Sequence, residues 1–224
     1  MTTLHVVRVF VGPDGRGGNP LGVFLHGREV AEERRQAVAA DLGFSETVFV
    51  DDPVAGRLRI FTPATELAFA GHPLVGTGWL LAREVAPAAT LRPPAGPVPT
   101  WEDDTGVRWI RARAEWAPRM TLRQLPSPAA VDAQEDAGDA PQTYVWAWED
   151  EAAGRVRARS FAPGLGIPED EATGAAAVLL GAALGRELEI RQGVGSRLLA
   201  RPGPDGTVEV GGTVTLVEVR DHAV

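Results

Sequence analysis

The 224-residue chain is long enough for one large domain or two small ones with a real core, and its 44% hydrophobic and 23% charged content is that of a folded protein. A formal charge of −8 without an arginine cluster argues against nucleic acid as a partner, because phosphate neutralisation dominates such binding. Cysteine and lysine are both absent. Disulfides, thiolate nucleophiles, zinc ribbons, two-thiol racemases and lysine-bound pyridoxal phosphate are thereby excluded, and proton transfer has to rest on carboxylates, histidine or tyrosine.

The chain opens with a strand-like run, residues 4–11, in place of a charged leader, and no apolar stretch approaches the about 20 residues that cross a bilayer. A cytoplasmic location with no membrane partner is expected. A glycine-rich turn, GPDGRGGNP, leads to a second apolar run at 21–25, and the default reading has Asn19 satisfying backbone groups within that turn. Residues 29–42 place Val30, Ala37, Val38 and Leu42 among charges and read as a helix, with Gly43 at its C-terminal cap. Strands are expected at 47–50, 57–61, 107–112, 144–148, 156–161, 188–192 and 208–219, the last broken at Gly211 and Gly212. The Ala/Pro-rich segment 86–99 reads as an inter-domain linker, which divides the chain into lobes 1–97 and 98–224. Residues 126–141, with Asp132, Glu135, Asp136 and Asp139, read as a surface loop.

One pattern organises these pieces. Arg59-Ile-Phe61-Thr-Pro63 recurs as Arg159-Ser-Phe161-Ala-Pro163, one hundred positions later. Each copy is followed by a short polar turn and then a helix rich in small residues, GHPLVGTGWLLA from Gly71 and TGAAAVLLGAAL from Thr173. Pro73 is expected at the first position of the earlier helix and Thr173 at the N-cap of the later one. The first turn of a helix carries unpaired N–H groups and partial positive charge, so two such ends facing each other would make an anion site; close-packed, well-capped helices are the plain alternative.

Three side chains stand out. Glu46, in GFSETVFV, enters an apolar strand, where desolvation would raise its proton affinity; a capping or loop carboxylate is the other reading. His72 sits at the start of the first small-residue helix as either a cap or a functional group, and the four histidines show no metal-ligand spacing. Asp170 precedes the second helix, either as a charge complementing its dipole or as part of a site. Ser45 lacks the histidine and acid of a recognised hydrolase motif.

Taken in order, GRGGNPLGVF, GFSETVFV, RIFTPATELAFAGHPLVGTG, FAPGLGIPEDEATGAA and QGVGSR span nearly the whole chain and resemble the PhzF-like isomerases of phenazine biosynthesis, relatives of diaminopimelate epimerase. The resemblance implies an α+β fold of two pseudo-symmetric lobes, each a β-barrel around a central helix, with the active site between them. It implies a homodimer and a cofactor-free isomerase or epimerase acting on a small carboxylate. By that resemblance Glu46 shuttles the proton, His72 and Asp170 orient the substrate and assist, and Gly71, Thr173 and Gly174 hold the substrate carboxylate; no metal or organic cofactor is expected. The chain departs from the family pattern at Ala175, where a serine is usual, at Glu171, where a proline is usual and where the added charge is expected beside the cleft, and at Gly195-Ser196-Arg197. A non-catalytic carboxylate-binding protein that keeps the fold is the alternative.

Overall fold

A computed structural model describes residues 1–136, 138 and 140–223. Among these residues fifteen strands carry the architecture. The first half holds β1 (Thr2–Val11), β2 (Gly17–Phe24), β3 (Glu46–Asp52), β4 (Arg57–Phe61), β5 (Glu66–Leu67), β6 (Thr90–Leu91), β7 (Val98–Glu102) and β8 (Arg108–Ala112). The second holds β9 (Thr121–Gln124), β10 (Thr143–Asp150), β11 (Arg155–Ala162), β12 (Ile167–Asp170), β13 (Leu188–Gln192), β14 (Ser196–Pro202) and β15 (Val208–His222). Among the described residues four α-helices accompany them: α1 (Glu32–Leu42), α2 (Gly71–Glu84), α3 (Pro128–Asp132) and α4 (Gly174–Leu184). Among the described residues no helix is long and apolar enough to cross a membrane.

The sheet runs β5-β4-β3-β2-β1-β15-β14-β13-β11-β10-β9, with β8 also paired to β15. The fold is α+β, and the repeat recognised in the sequence is repeated in space. In the first copy β4 pairs antiparallel with β5, and Arg59 grips Glu66 with two hydrogen bonds of 2.7 and 2.6 Å while lying over the Phe61 ring. In the second, β11 pairs antiparallel with β12, and Arg159 grips Glu169 with two bonds of 2.7 Å while lying over Phe161. Each planar guanidinium fork matches one carboxylate, so the same three residue types make the same hairpin twice.

Each hairpin delivers the chain into a buried helix. α2 packs on β1, β2, β3, β7, β8 and β15, and α4 on β14 and β15. The small residues explain the close approach: a Cβ on Gly76 would lie 2.7 Å from Leu21 and Val9 side-chain atoms, one on Gly78 2.8 Å from Thr100 Oγ1, and one on Gly181 2.9 Å from Val208. One apolar cluster, from Val9 and Leu74 to Leu180 and Ile190, runs through both helices and their strands. Burying a leucine such as Leu74 or Leu180 contributes about 1.5–3 kcal/mol.

Several expectations need correction. Segment 86–99 is not a free linker: it contains β6, Leu91 is fully buried, and the Arg92 N–H donates to the Gly56 carbonyl at 2.7 Å. Beyond it, β7 and β8 pack on α2. Segment 126–141 is not simply a loop: α3 seats Val131 in the interior under a Ser127 cap, and Asp132 pairs with the buried Arg157 at 2.6 Å. Asp139 lies outside the described residues. β15 is not broken at Gly211 and Gly212; it changes partners there, from β8 and β14 to β1. Aromatic rings lie against those two glycines, Trp109 2.5 Å from a Cβ built on Gly211 and Phe10 2.4 Å from one on Gly212, so only glycine lets the strand pass. The helix expected at 29–42 begins at Glu32 and ends as expected, with Gly43 in the left-handed region at φ 66°.

Candidate functional site

The two helix starts meet. A Cβ on Gly71 would sit 2.5 Å from the Gly174 carbonyl carbon, and one on Gly174 would sit 2.7 Å from the His72 nitrogen. Glycine at both positions lets one backbone lie on the other, which brings the first turns of α2 and α4 to the same place. Pro73 is the third helical residue rather than the first; either position suits proline, since neither N–H has a partner within the helix. Thr173 occupies the N-cap position of α4, but its hydroxyl does not cap: it donates to Asp170 Oδ2 at 2.6 Å.

Around this junction the three singled-out side chains converge. Glu46, first residue of β3, is 6% exposed, and its Oε2 lies 3.3 Å from Nδ1 of His72 on α2. Asp170 closes β12 on the other side of the junction and is also 6% exposed. Burial pushes the Glu46 carboxyl well above the usual carboxylate range; the charge of Asp170 pushes the same way, and the polar Ser45 side chain beside it opposes them. Burial also lowers His72 to about 3. An ion pair at 3.3 Å would drive both groups in the opposite directions, but with both ends out of water desolvation dominates: His72 is uncharged and Glu46 holds a proton more tightly than an ordinary carboxylate. Asp170 is raised to about 6 by burial, held back by hydrogen bonds from Thr173 and Asn19 and pushed up by Glu171 and Glu169. Two polar atoms here, Glu46 Oε2 and His72 Nε2, are buried without a hydrogen-bond partner. Each such orphan costs about 1–3 kcal/mol.

A narrow pocket opens on this cluster. Glu46, Asp170, Thr173, Ala175 and Ala70 line it at the helix starts, and Phe69, Met120, Leu165 and Ile167 give it an apolar wall. Gly71, His72 and Gly174 are not in its lining: the glycines face each other and the histidine stands behind Glu46.

The hydrogen bonds include residues the sequence did not single out for a role. Asn19, 2% exposed, does not satisfy its own turn: its Nδ2 donates to Asp170 Oδ1 at 2.6 Å and to the Ala172 carbonyl at 3.0 Å, while its Oδ1 accepts from Ser45 at 2.9 Å. Fully buried Gln192 donates to the Asp170 carbonyl and to Thr173 Oγ1, and accepts from the Thr173 N–H and the Tyr144 hydroxyl. Glu171 is not a loose charge beside the site: it accepts from the Val194 N–H and the Ser196 hydroxyl, and Ser196 in turn accepts from the Gly18 N–H at 2.7 Å. Gln192 and Ser196 fall in the QGVGSR motif and Asn19 in GRGGNP; partners so far along the chain leave no local signature of what these side chains bind.

The family described as phenazine biosynthesis-like protein (PhzC-PhzF) matches residues 9–150 and 126–224. The chain belongs to that family. It is 33% identical to the trans-2,3-dihydro-3-hydroxyanthranilate isomerase of Pseudomonas aeruginosa over 82% of this chain and 84% of that protein. A solved structure described as a predicted epimerase from Pseudomonas aeruginosa is 26% identical and superposes over 100% of both chains with a TM-score of 0.72. A PhzC/PhzF protein of Clostridium difficile, 18% identical, shares the fold over 100% of both chains with a TM-score of 0.79. Membership carries the reaction class: the chain is an isomerase. Of the family departures, Ala175 lines the pocket, whereas Glu171 is turned away to the 193–196 turn.

Proposed function

We propose that this isomerase moves a proton on a small carboxylate substrate held in the pocket at the helix starts, without metal or organic cofactor. Glu46 takes the proton from an acidic carbon and returns it to another carbon, or to the other face of the same one, so that the carboxyl ends the cycle as it began. The observation that carries this reading is Glu46 Oε2, an unpartnered buried oxygen of raised proton affinity on a residue in the pocket wall. Asp170, in the pocket wall, orients the substrate, and uncharged His72 behind Glu46 assists the transfer through that carboxyl. Among the described residues no arginine or histidine lines the pocket; the first-turn N–H groups at Gly71 and Gly174 would hold the substrate carboxylate and the charge that develops beside it, the Thr173 N–H being already given to Gln192.

Solvent exchange tests this reading. Small carboxylates, the substrate of the Pseudomonas aeruginosa relative among them, are incubated with the protein in D2O and examined by mass spectrometry. Deuterium should enter at carbon with the natural chain and not with Glu46→Gln. Equal incorporation by both, for every carboxylate that binds, would overturn it. The alternative, a binding protein that keeps the fold without turnover, rests on Ala175 in the pocket wall where the family resemblance leads one to expect a serine. Binding without exchange, together with exchange gained in Ala175→Ser, would favour that reading. A homodimer belongs to the same proposal, and sedimentation at working concentration tests it.

A further inference from the structure

We infer that Asn19 is a positioning residue for this proton transfer: its side-chain amide ties Asp170, on the far side of the helix junction, to Ser45 beside Glu46, keeps Asp170 the acceptor, and leaves the mobile proton to Glu46. The inference rests on the proposed role of Glu46 and adds what sets the proton's address.

The orientation of the amide is fixed by its neighbours. Asp170 Oδ1 and the Ala172 carbonyl can only accept, so the nitrogen must face them, at 2.6 and 3.0 Å. The oxygen then faces the Ser45 hydroxyl, whose hydrogen it receives at 2.9 Å. Both amide hydrogens are committed, and none remains for His72 Nδ1 at 3.5 Å. The closer contact of that nitrogen is Glu46 Oε2 at 3.3 Å.

A second line of donors ends on the same carboxyl. Gln192 Nε2 donates to Thr173 Oγ1 at 2.9 Å, so the Thr173 hydrogen goes onward to Asp170 Oδ2 at 2.6 Å. Asp170 therefore stands at the end of two chains that both run toward it, Ser45 to Asn19 to Asp170 and Gln192 to Thr173 to Asp170. Protonating Asp170 would weaken both, because a neutral carboxyl is the poorer acceptor. Hydrogen bonds to both oxygens favour the charged form, whereas Glu46 has an oxygen with no donor at all. The other ionisable groups around Asp170 are Glu46 from β3, His72 from α2, Tyr144 from β10, and Glu169 and Glu171 on its own segment. Glu169 is neutralised by Arg159, and Glu171 is bonded to Val194 and Ser196. No cation faces Asp170 among these, so the hydrogen-bond donors are what oppose burial at its carboxyl.

The test needs no substrate. Protein carrying carbon-13 in its Asp and Glu side-chain carboxyls is titrated by NMR between about pH 4 and 9, with Asp170→Asn and Glu46→Gln assigning the two signals. In Asn19→Leu, similar in size but without hydrogen bonds, the Asp170 midpoint should rise by about one pH unit, a tenfold gain in proton affinity, and the Glu46 midpoint should fall. A folded Asn19→Leu protein whose two midpoints stay where they were would overturn the inference, since a merely structural role would lower the melting temperature and leave the titrations alone. Should that variant not fold, the natural protein supplies the readout: the Asn19 side-chain amide resonances must move with the Asp170 midpoint, and amide signals flat across that range would overturn it equally. Neither measurement uses turnover, so the exchange experiment on Glu46 can fail while these titrations succeed, or the reverse.

Discussion

Replacing Gly71 by alanine puts the meeting of the two helices to a direct test. In an ordinary helix the change stabilises by about 0.5–1 kcal/mol, because alanine gives up less backbone freedom. Gly71 is helical, without a left-handed φ that would penalise a side chain. The added carbon would instead lie 2.5 Å from the Gly174 carbonyl carbon, 2.7 Å from its Cα and 2.9 Å from the Ala175 nitrogen. All three are backbone atoms of the opposite helix, and no rotamer change relieves them. Relief requires the helix starts to separate by about 1 Å, at a cost of about 1–3 kcal/mol for an overpacked core, so the expected outcome is net destabilisation. For a chain of this size that lowers the melting temperature by about 2–10 °C. Gly76→Ala is the comparison, because its obstacles are the flexible ends of Leu21 and Val9 and its cost should be smaller. Urea unfolding of both variants, with solvent exchange measured alongside, reads the result: Gly71→Ala should lose exchange by about a hundredfold, since an ångström of misplacement suffices. A Gly71→Ala protein as stable as, or more stable than, the natural one would refute the claim that the two backbones lie in contact.

Further outcomes follow from the same geometry. His72 is held near 3 against an ordinary 6.5, so the unfolded chain binds a proton that the native one refuses, and native stability falls as pH drops from 6.5 towards 3. Asp170, near 6 against an ordinary 3.8, acts oppositely: the native chain holds the proton, and stability is lost as pH rises through 6. His72→Asn should therefore flatten the acid side of the stability profile, measured as urea midpoint against pH. Glu171→Ala removes the acceptor of the fully buried Ser196 hydroxyl and should cost about 1–2 kcal/mol by urea unfolding. Arg59→Lys and Arg159→Lys each replace a two-bond grip with a point charge at a partly exposed site; each should cost about 0.5–1 kcal/mol, and the pair should add, because the two forks share no partner.

What the sequence made legible follows how far its physics is local. Short apolar runs revealed β1, β4 and β13 nearly to the residue, and Gly43 marked the end of α1 through a backbone requirement only glycine meets cheaply. The repeated Arg-x-Phe-x-Pro was readable because each copy completes its hairpin with a carboxylate a few residues away. β9 was not readable: it is an edge strand with its residues largely exposed and no buried face to impose a period. α3 buries only Val131 and so offers no helical stripe. Within the site, Glu46, His72 and Asp170 stood out by residue type and family resemblance, but that burial rather than ion pairing governs the first two is a property of the assembled junction. Asn19 was hidden most deeply, as its acceptors lie 151 and 153 positions away.

The crossing strand β15 has a consequence for how the chain comes to be folded. Its residues 213–222 zip along β1, with Thr2 opposite His222, while residues 208–212 sit between β8 and β14. As the chain leaves the ribosome, β1 can pair with β2 at once, but its other edge stays open until β15 has been made. Such distant pairing is slow to form, and the waiting edge is the place where a nascent chain would need a chaperone's protection.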